Sequence, residues 1–161
     1  MIDPALLEAF CADMQGMGGV LEAPAAIMPR CGGPNGGGMR VDVSEGVYRL
    51  TYSENDGIEV LAESPDRNAV MEMVFVHVTE GMASAERSTR MSSDAIDAFL
   101  NAPPPRAEIR EMALSLHMDV SARQVELLNL LNPEWGRRRA VWAASRVEEI
   151  KAFFDPDVEG P

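Results

Sequence analysis

Val47-Tyr48-Arg49-Leu50-Thr51-Tyr52, then Ser53-Glu54-Asn55-Asp56-Gly57, then Ile58-Glu59-Val60-Leu61-Ala62 reads as two strands joined by a tight turn. The first run is rich in β-branched and aromatic residues, which suit a pleated, half-buried surface. Asp56-Gly57 carries the Asp-Gly signal of a hairpin, because glycine adopts positive φ without steric cost. Alternation sends Val47, Arg49 and Thr51 to one face and Tyr48, Leu50 and Tyr52 to the other. Upstream, residues 39–43 alternate weakly and Ser44-Glu45-Gly46 forms a turn. The three runs make a three-stranded antiparallel meander.

Working outward, Asp3-Pro4 reads as a helix N-cap followed by proline at N1. Leu6, Leu7, Phe10, Cys11 and Met14 recur at helical spacing, and Gly16, Gly18 and Gly19 are expected to end that helix. Residues 21–38 hold three prolines and the run Gly32-Gly33-Pro34-Asn35-Gly36-Gly37-Gly38, so they are read as a connecting loop. After the meander, Ser64-Pro65 repeats the cap-and-proline signal. Val70, Met73, Val74, His77, Val78, Gly81, Met82 and Ala85 then trace one stripe of a helix over 65–90. A short helix carries Ile96, Phe99 and Leu100, and Pro103-Pro104-Pro105 stops it. A helix is expected over 106–117. Another, capped by Ser121, carries Val125, Leu127, Leu128 and Leu131. A last one, opened by Asn132-Pro133, runs over 133–154. The order implies an α+β fold: an N-terminal helix, the meander, then four to five helices packed on the sheet. The expected organisation is a single domain over 1–155 with a tail at 156–161.

At 161 residues, 46% of them hydrophobic, the chain is long enough for a real core. No apolar run approaches the roughly 18 residues of a membrane span, and Met1-Ile2-Asp3-Pro4 does not open a signal peptide. A cytoplasmic location is the expectation, and with it free thiols at Cys11 and Cys31. The formal charge of −12 disfavours nucleic acid and anionic membranes, which require basic surface. It suits a basic protein partner, since complementary fields steer encounter. Residues 42–86 hold ten acids against Arg49 and Arg67, so the middle segment is where such a partner is expected.

Chemistry-bearing patterns are sparse. His77 and His117 stand alone, without CxxC or HExxH, so no metal site and no cofactor is expected. His77 falls on the apolar stripe of its helix and is read as a core histidine bonded to backbone. The glycine run lacks the Lys-Ser/Thr of a phosphate loop and precedes a strand, not a helix. Its glycines would let backbone enter a narrow cleft on a partner. Glu54 and Asp56 flank a hairpin tip, where nothing enforces the burial that tunes a carboxylate for acid–base work. They are read as solvated charges for a basic partner. Arg137-Arg138-Arg139 is read as a solvated helix face pairing with Glu134, Glu148 or Glu149. No catalytic residue is assigned.

Two further stretches carry a resemblance. Residues 63–87, beginning Glu63-Ser64-Pro65-Asp66-Arg67, and Gln124-Val125-Glu126-Leu127-Leu128-Asn129-Leu130-Leu131-Asn132-Pro133-Glu134-Trp135 resemble the long helix and the C-terminal helix pair of immunity proteins from bacterial polymorphic-toxin systems. The meander looks like that family's sheet. The likeness spans roughly residues 38–155. It departs from the family at Asn55-Asp56-Gly57, where an Arg-Gly turn is common, and at Ala102-Pro103-Pro104-Pro105. The resemblance implies an antitoxin that binds one cognate toxin domain and blocks its active site. With the acidity, it points to Asn35, Asp42, Glu45, Tyr48, Glu54, Asp56 and Glu59 as the partner-facing residues. The alternative is a small-ligand or enzymatic domain with a pocket between sheet and helices, using Tyr48, Tyr52 and His77. A dimerisation module would instead show exposed Met and Trp patches.

Overall fold

The computed structural model describes residues 2–21, 30–32, 38–54, 57–90, 99 and 101–155. The chain divides into two compact units, Met1–Thr79 and Glu80–Pro161.

In the first unit, strands β2 (Gly38–Ser44), β3 (Val47–Glu54) and β4 (Gly57–Ser64) form the expected meander. Ser44 pairs with Val47 across Glu45-Gly46, both at positive φ (54° and 76°), the signature of a type I′ turn. Leu50 pairs with Ala62 but Thr51 with Val60, so Leu61 is an extra residue in a bulge. Asn55 and Asp56, the expected hairpin tip, lie outside the described residues. Val41, Val43, Tyr48 and Leu50 face inward and are buried, as the alternation requires.

The region read as a loop contains a further strand, β1 (Arg30–Cys31), parallel to β2. The sheet is therefore four-stranded, in the order β1-β2-β3-β4. Two residues between prolines and glycines carry no periodicity, so nothing local signals this strand. A long-range bond holds it there instead. Cys11 and Cys31 form a disulfide with their Cα atoms 6.0 Å apart, where free thiols were expected.

Helix α1 (Pro4–Val20) starts as expected: Asp3 Oδ1 accepts from the Ala5 and Leu6 amides. The Asp3 amide in turn donates to Val43 O, which ties the helix start to β2. The three glycines do not stop the helix. Gly18 is buried on the same face as Phe10 and Met14, and this packing offsets the ~1 kcal/mol helix penalty of a glycine. Phe10 stacks at 5.3 Å on Tyr48 of β3.

Helix α2 (Arg67–Ser88) begins in the first unit and continues through the division at Thr79. Its cap is Asp66, whose Oδ1 accepts from the Asn68 amide, while Ser64 Oγ accepts from the Asp66 amide. The cap thus lies two residues later than Ser64-Pro65 suggested. The buried face is Val70, Met71, Val74, Phe75 and Val78, with Met73 and Gly81 exposed and His77 only half-buried. Val70, Val74 and Val78 are buried as expected, but the face is turned by roughly 60°, because this helix is apolar on two faces and the larger side chains, Met71 and Phe75, take the core. Thr79 sits fully buried by donating its hydroxyl to Phe75 O at 2.6 Å.

In the second unit, α3 (Arg106–Leu131) is one helix where two were expected. Ser121 is not a cap but a buried residue in mid-helix. Pro105, at φ −55° and ψ 151°, ends the proline run in an extended conformation just before it. A single residue, Asn132, turns the chain into α4 (Pro133–Phe153), its Oδ1 accepting from the Glu134 amide. The two helices run antiparallel along their length. Gln124 meets Arg139, His117 meets Ala143, and Arg106 reaches the carbonyl of Phe153. Leu127, Leu128 and Trp135 are buried near the turn. The helix expected at Ile96, Phe99 and Leu100 and the tail at 156–161 fall largely outside the described residues. Among those described, α1 precedes the sheet and three helices, α2 to α4, follow it, against the four to five expected there. No helix among them is long and apolar enough to cross a membrane.

Candidate functional site

Of the seven residues assigned to a partner surface, Asn35 and Asp56 lie outside the described residues. The strands separate the other five. Tyr48 faces the core against Phe10 and presents no surface. Asp42 lies on the opposite face of β2 with its side chain 16% exposed, and Arg40 Nε donates to its Oδ2 at 2.7 Å. Much of its charge is therefore answered within the sheet. Across that face Asp42 pairs in register with Arg49, and Arg49 with Glu63, to which it donates at 2.7 Å. The Glu63 carboxylate raises the affinity of the Arg49 guanidinium for its proton. Glu45 in the turn, Glu54 at the end of β3 and Glu59 on β4 are exposed. Glu59 is the cross-strand partner of Tyr52, whose hydroxyl lies 3.5 Å from Glu54.

The rest of β4 completes this surface. It is an edge strand, and among the described residues its outer side makes no backbone hydrogen bond. The bulge turns Ile58 and Val60 to the outward face, where they are 76% and 52% exposed. The edge thus offers free backbone donors and acceptors, with Ile58, Val60 and the Arg49-paired Glu63 on one face and the carboxylate of Glu59 on the other.

Of the residues named with the alternative, Tyr48 is buried, Tyr52 is exposed and His77 is half-buried. A cleft exists elsewhere, in the second unit. It has a volume of about 420 Å³ and lies among the end of α2, the middle of α3 and α4. Its walls include the apolar Ala113, Leu116, Val120 and Trp142 and the polar Arg87, His117, Gln124 and Arg139. Arg139 organises it. Its side chain is only 10% exposed, its Nε donates to Gln124 Oε1 at 2.7 Å, and one terminal nitrogen donates to Glu80 Oε2 at 3.1 Å. The guanidinium lies 3.5 Å from the centroid of the Trp142 ring, a cation–π stack. Burial lowers its affinity for the proton, partly offset by Glu80. His117 Nε2 lies 3.0 Å from Ala143 O, and a carbonyl partner requires that this nitrogen carry the hydrogen. Arg87 Nε is buried and stands 3.1 Å from Asp119 Oδ2, in a geometry that does not make a hydrogen bond.

Reading the sequence as a charge run missed this cleft. Arg137 and Arg138 do pair with Glu134, as expected of a solvated face. Arg139 departs from them and turns inward. The available signal was phase: Trp135, Arg139 and Trp142 are spaced i, i+4, i+7, which puts Arg139 on the tryptophan side of the helix. Among the described residues no group of three or more His, Cys, Asp or Glu side chains is placed to hold a metal ion. No family model, no curated protein and no solved structure matches this chain.

Proposed function

We propose that this chain is a protein-binding domain of the immunity type, which neutralises a toxin domain by covering its active site. The observation that carries the reading is the β4 edge. A strand of a partner can add to it, with main-chain hydrogen bonds supplying affinity and alternate side chains supplying specificity. Proteins guard exposed edges with charges and bulges, and β4 has both, in Glu59, Glu63 and the extra Leu61. Such an edge resists a second acidic strand and accepts a basic one. The first unit carries 12 acidic against 4 basic residues, which adds long-range attraction for a basic partner. Occlusion of a toxin's cleft needs no catalytic group on the inhibitor. The Cys11–Cys31 bond supports an oxidising compartment over the cytoplasmic one expected from the sequence.

The test is to read the neighbouring genes for a large secreted protein with a variable C-terminal domain, and to measure binding of that domain by calorimetry and co-purification at two salt concentrations. A 1:1 complex weakened by salt is expected, and Glu54→Lys with Glu59→Lys should weaken it by about tenfold or more. Failure to form a complex, or a complex indifferent to these reversals, refutes the reading.

A further inference from the structure

We propose that the cleft of the second unit binds a small organic carboxylate, its head between Arg87 and Arg139 and its apolar body against Leu116, Val120 and Trp142. The inference stands apart from the partner-binding reading of the first unit. Several observations converge on it. The cleft, at about 420 Å³, falls within the ~300–1,000 Å³ of ordinary ligand sites. Its lining mixes two guanidinium groups with aliphatic and indole surface, the Arg139 guanidinium lying directly against the Trp142 ring. Arg139 is held in place rather than free to move, by Gln124 below and Trp142 against its plane. Gln124 itself is fully buried, so the positioning does not depend on a mobile surface group. A charged donor fixed in advance loses little entropy on binding.

Donor count favours an anion. Of the five N–H groups of Arg139, Gln124 takes one and Glu80 one. Arg87 brings a buried Nε with no hydrogen-bond acceptor among the described residues. Buried donors of this kind are normally satisfied. A planar carboxylate suits a guanidinium fork, and a monoanion is cheaper to strip of water than a phosphate dianion in a half-apolar cleft. A ligand must share Arg87 with Asp119, 3.1 Å away and 53% exposed, and displace Glu80 from the more deeply buried Arg139. Glu80 is 48% exposed, so its pair with Arg139 is weak and easily exchanged. Glu80 therefore acts as a competitor for the site.

The experiment is a titration of the intact chain with sodium phenylacetate, followed by tryptophan fluorescence and by calorimetry. Benzyl alcohol and phenyl phosphate serve as uncharged and dianionic comparators. Phenylacetate should saturate below about 5 mM, with both comparators weaker. Arg87→Gln should weaken it about tenfold, and Glu80→Gln should tighten it about threefold, each with an unchanged circular dichroism spectrum and melting temperature. The opposite signs matter, since damage to the fold would weaken binding in both variants. Absence of saturable binding, equal binding of benzyl alcohol, stronger binding of phenyl phosphate, or weakening by Glu80→Gln overturns the proposal.

Discussion

Reduction of the Cys11–Cys31 bond should destabilise the first unit by about 3 kcal/mol. The magnitude follows from the 20-residue separation of the two cysteines. Closing a loop of that length removes about 11 cal/mol/K of chain entropy from the unfolded ensemble, or about 3.3 kcal/mol at 25 °C. The local effect should exceed the global one at β1. That strand consists of Arg30 and Cys31, paired with Arg40 and Val41 and extended by a single bond from the Gly32 amide to Val41 O. Without the covalent link to α1 so short a strand should fray. Calorimetric melts of protein purified without reductant, with and without a phosphine reductant, give the energy. For a unit of this size the loss corresponds to a fall in its melting temperature of about 10 °C or more. Hydrogen exchange should show amides at 31 and 32 losing protection while Leu50 keeps it. Intact mass after alkylation decides the premise. Two alkylated cysteines in the unreduced protein would mean that the bond does not form, and an intact bond whose reduction shifts the melt by less than about 2 °C would mean that it does not stabilise the unit.

Two more expectations concern stability. Glu45 occupies a positive-φ turn position that L-residues with a large side chain disfavour, so Glu45→Asn should stabilise by about 0.5–1 kcal/mol in urea unfolding, and no gain would argue against the type I′ turn. Glu86 accepts two bonds from Arg123, at 2.9 and 3.0 Å, and the hydrogen bonding lowers its carboxyl below the usual range. A carboxylate depressed in the folded state contributes stability that is present above its unfolded value and lost as pH falls through the folded one. Acid melts below about pH 4.5 should therefore be less steep in Glu86→Gln than in the parent, the difference staying under about 1 kcal/mol because the pair is near half-exposed.

The meander was legible because three signals agreed on it: alternation, strand-forming residues and glycine at the turns. Val41, Val43, Tyr48 and Leu50 are buried where alternation puts them. Signals that act alone misled. Glycines 16, 18 and 19 look like a helix stop, but α1 runs through them because Gly18 packs inside. Ser121 looks like a cap, but the helix runs on through it and the serine is enclosed with Gln124, Leu127 and Leu128. On α2 the periodicity was real and its phase was not, because two apolar faces compete and only tertiary packing selects one. Strand β1 had no local signal at all. A strand of two residues is stabilised by its neighbours and by a crosslink to a helix 20 residues earlier, and neither is visible from its own sequence.

Charge was legible as an amount and illegible as a surface. Asp42 and Glu59 look alike in sequence, yet the first is paired with Arg40 while the second stands exposed on the edge strand. Counting acids along residues 42–86 cannot separate them, because register decides which acid meets a base. The same holds for the arginine triplet, where two side chains meet Glu134 and the third forms the floor of a cleft with groups up to 59 residues away. The charge is also divided unequally between the two units. The first carries the larger excess of acid, 12 against 4, which on the proposed reading favours a basic partner at its exposed edge. The second holds 14 acids against 10 bases, with Arg87 and Arg139 beside the apolar walls of its cleft. A net charge of −12 describes neither site, because charge acts over about a Debye length, ~10 Å at 0.1 M salt, and both sites are set by neighbours inside that range.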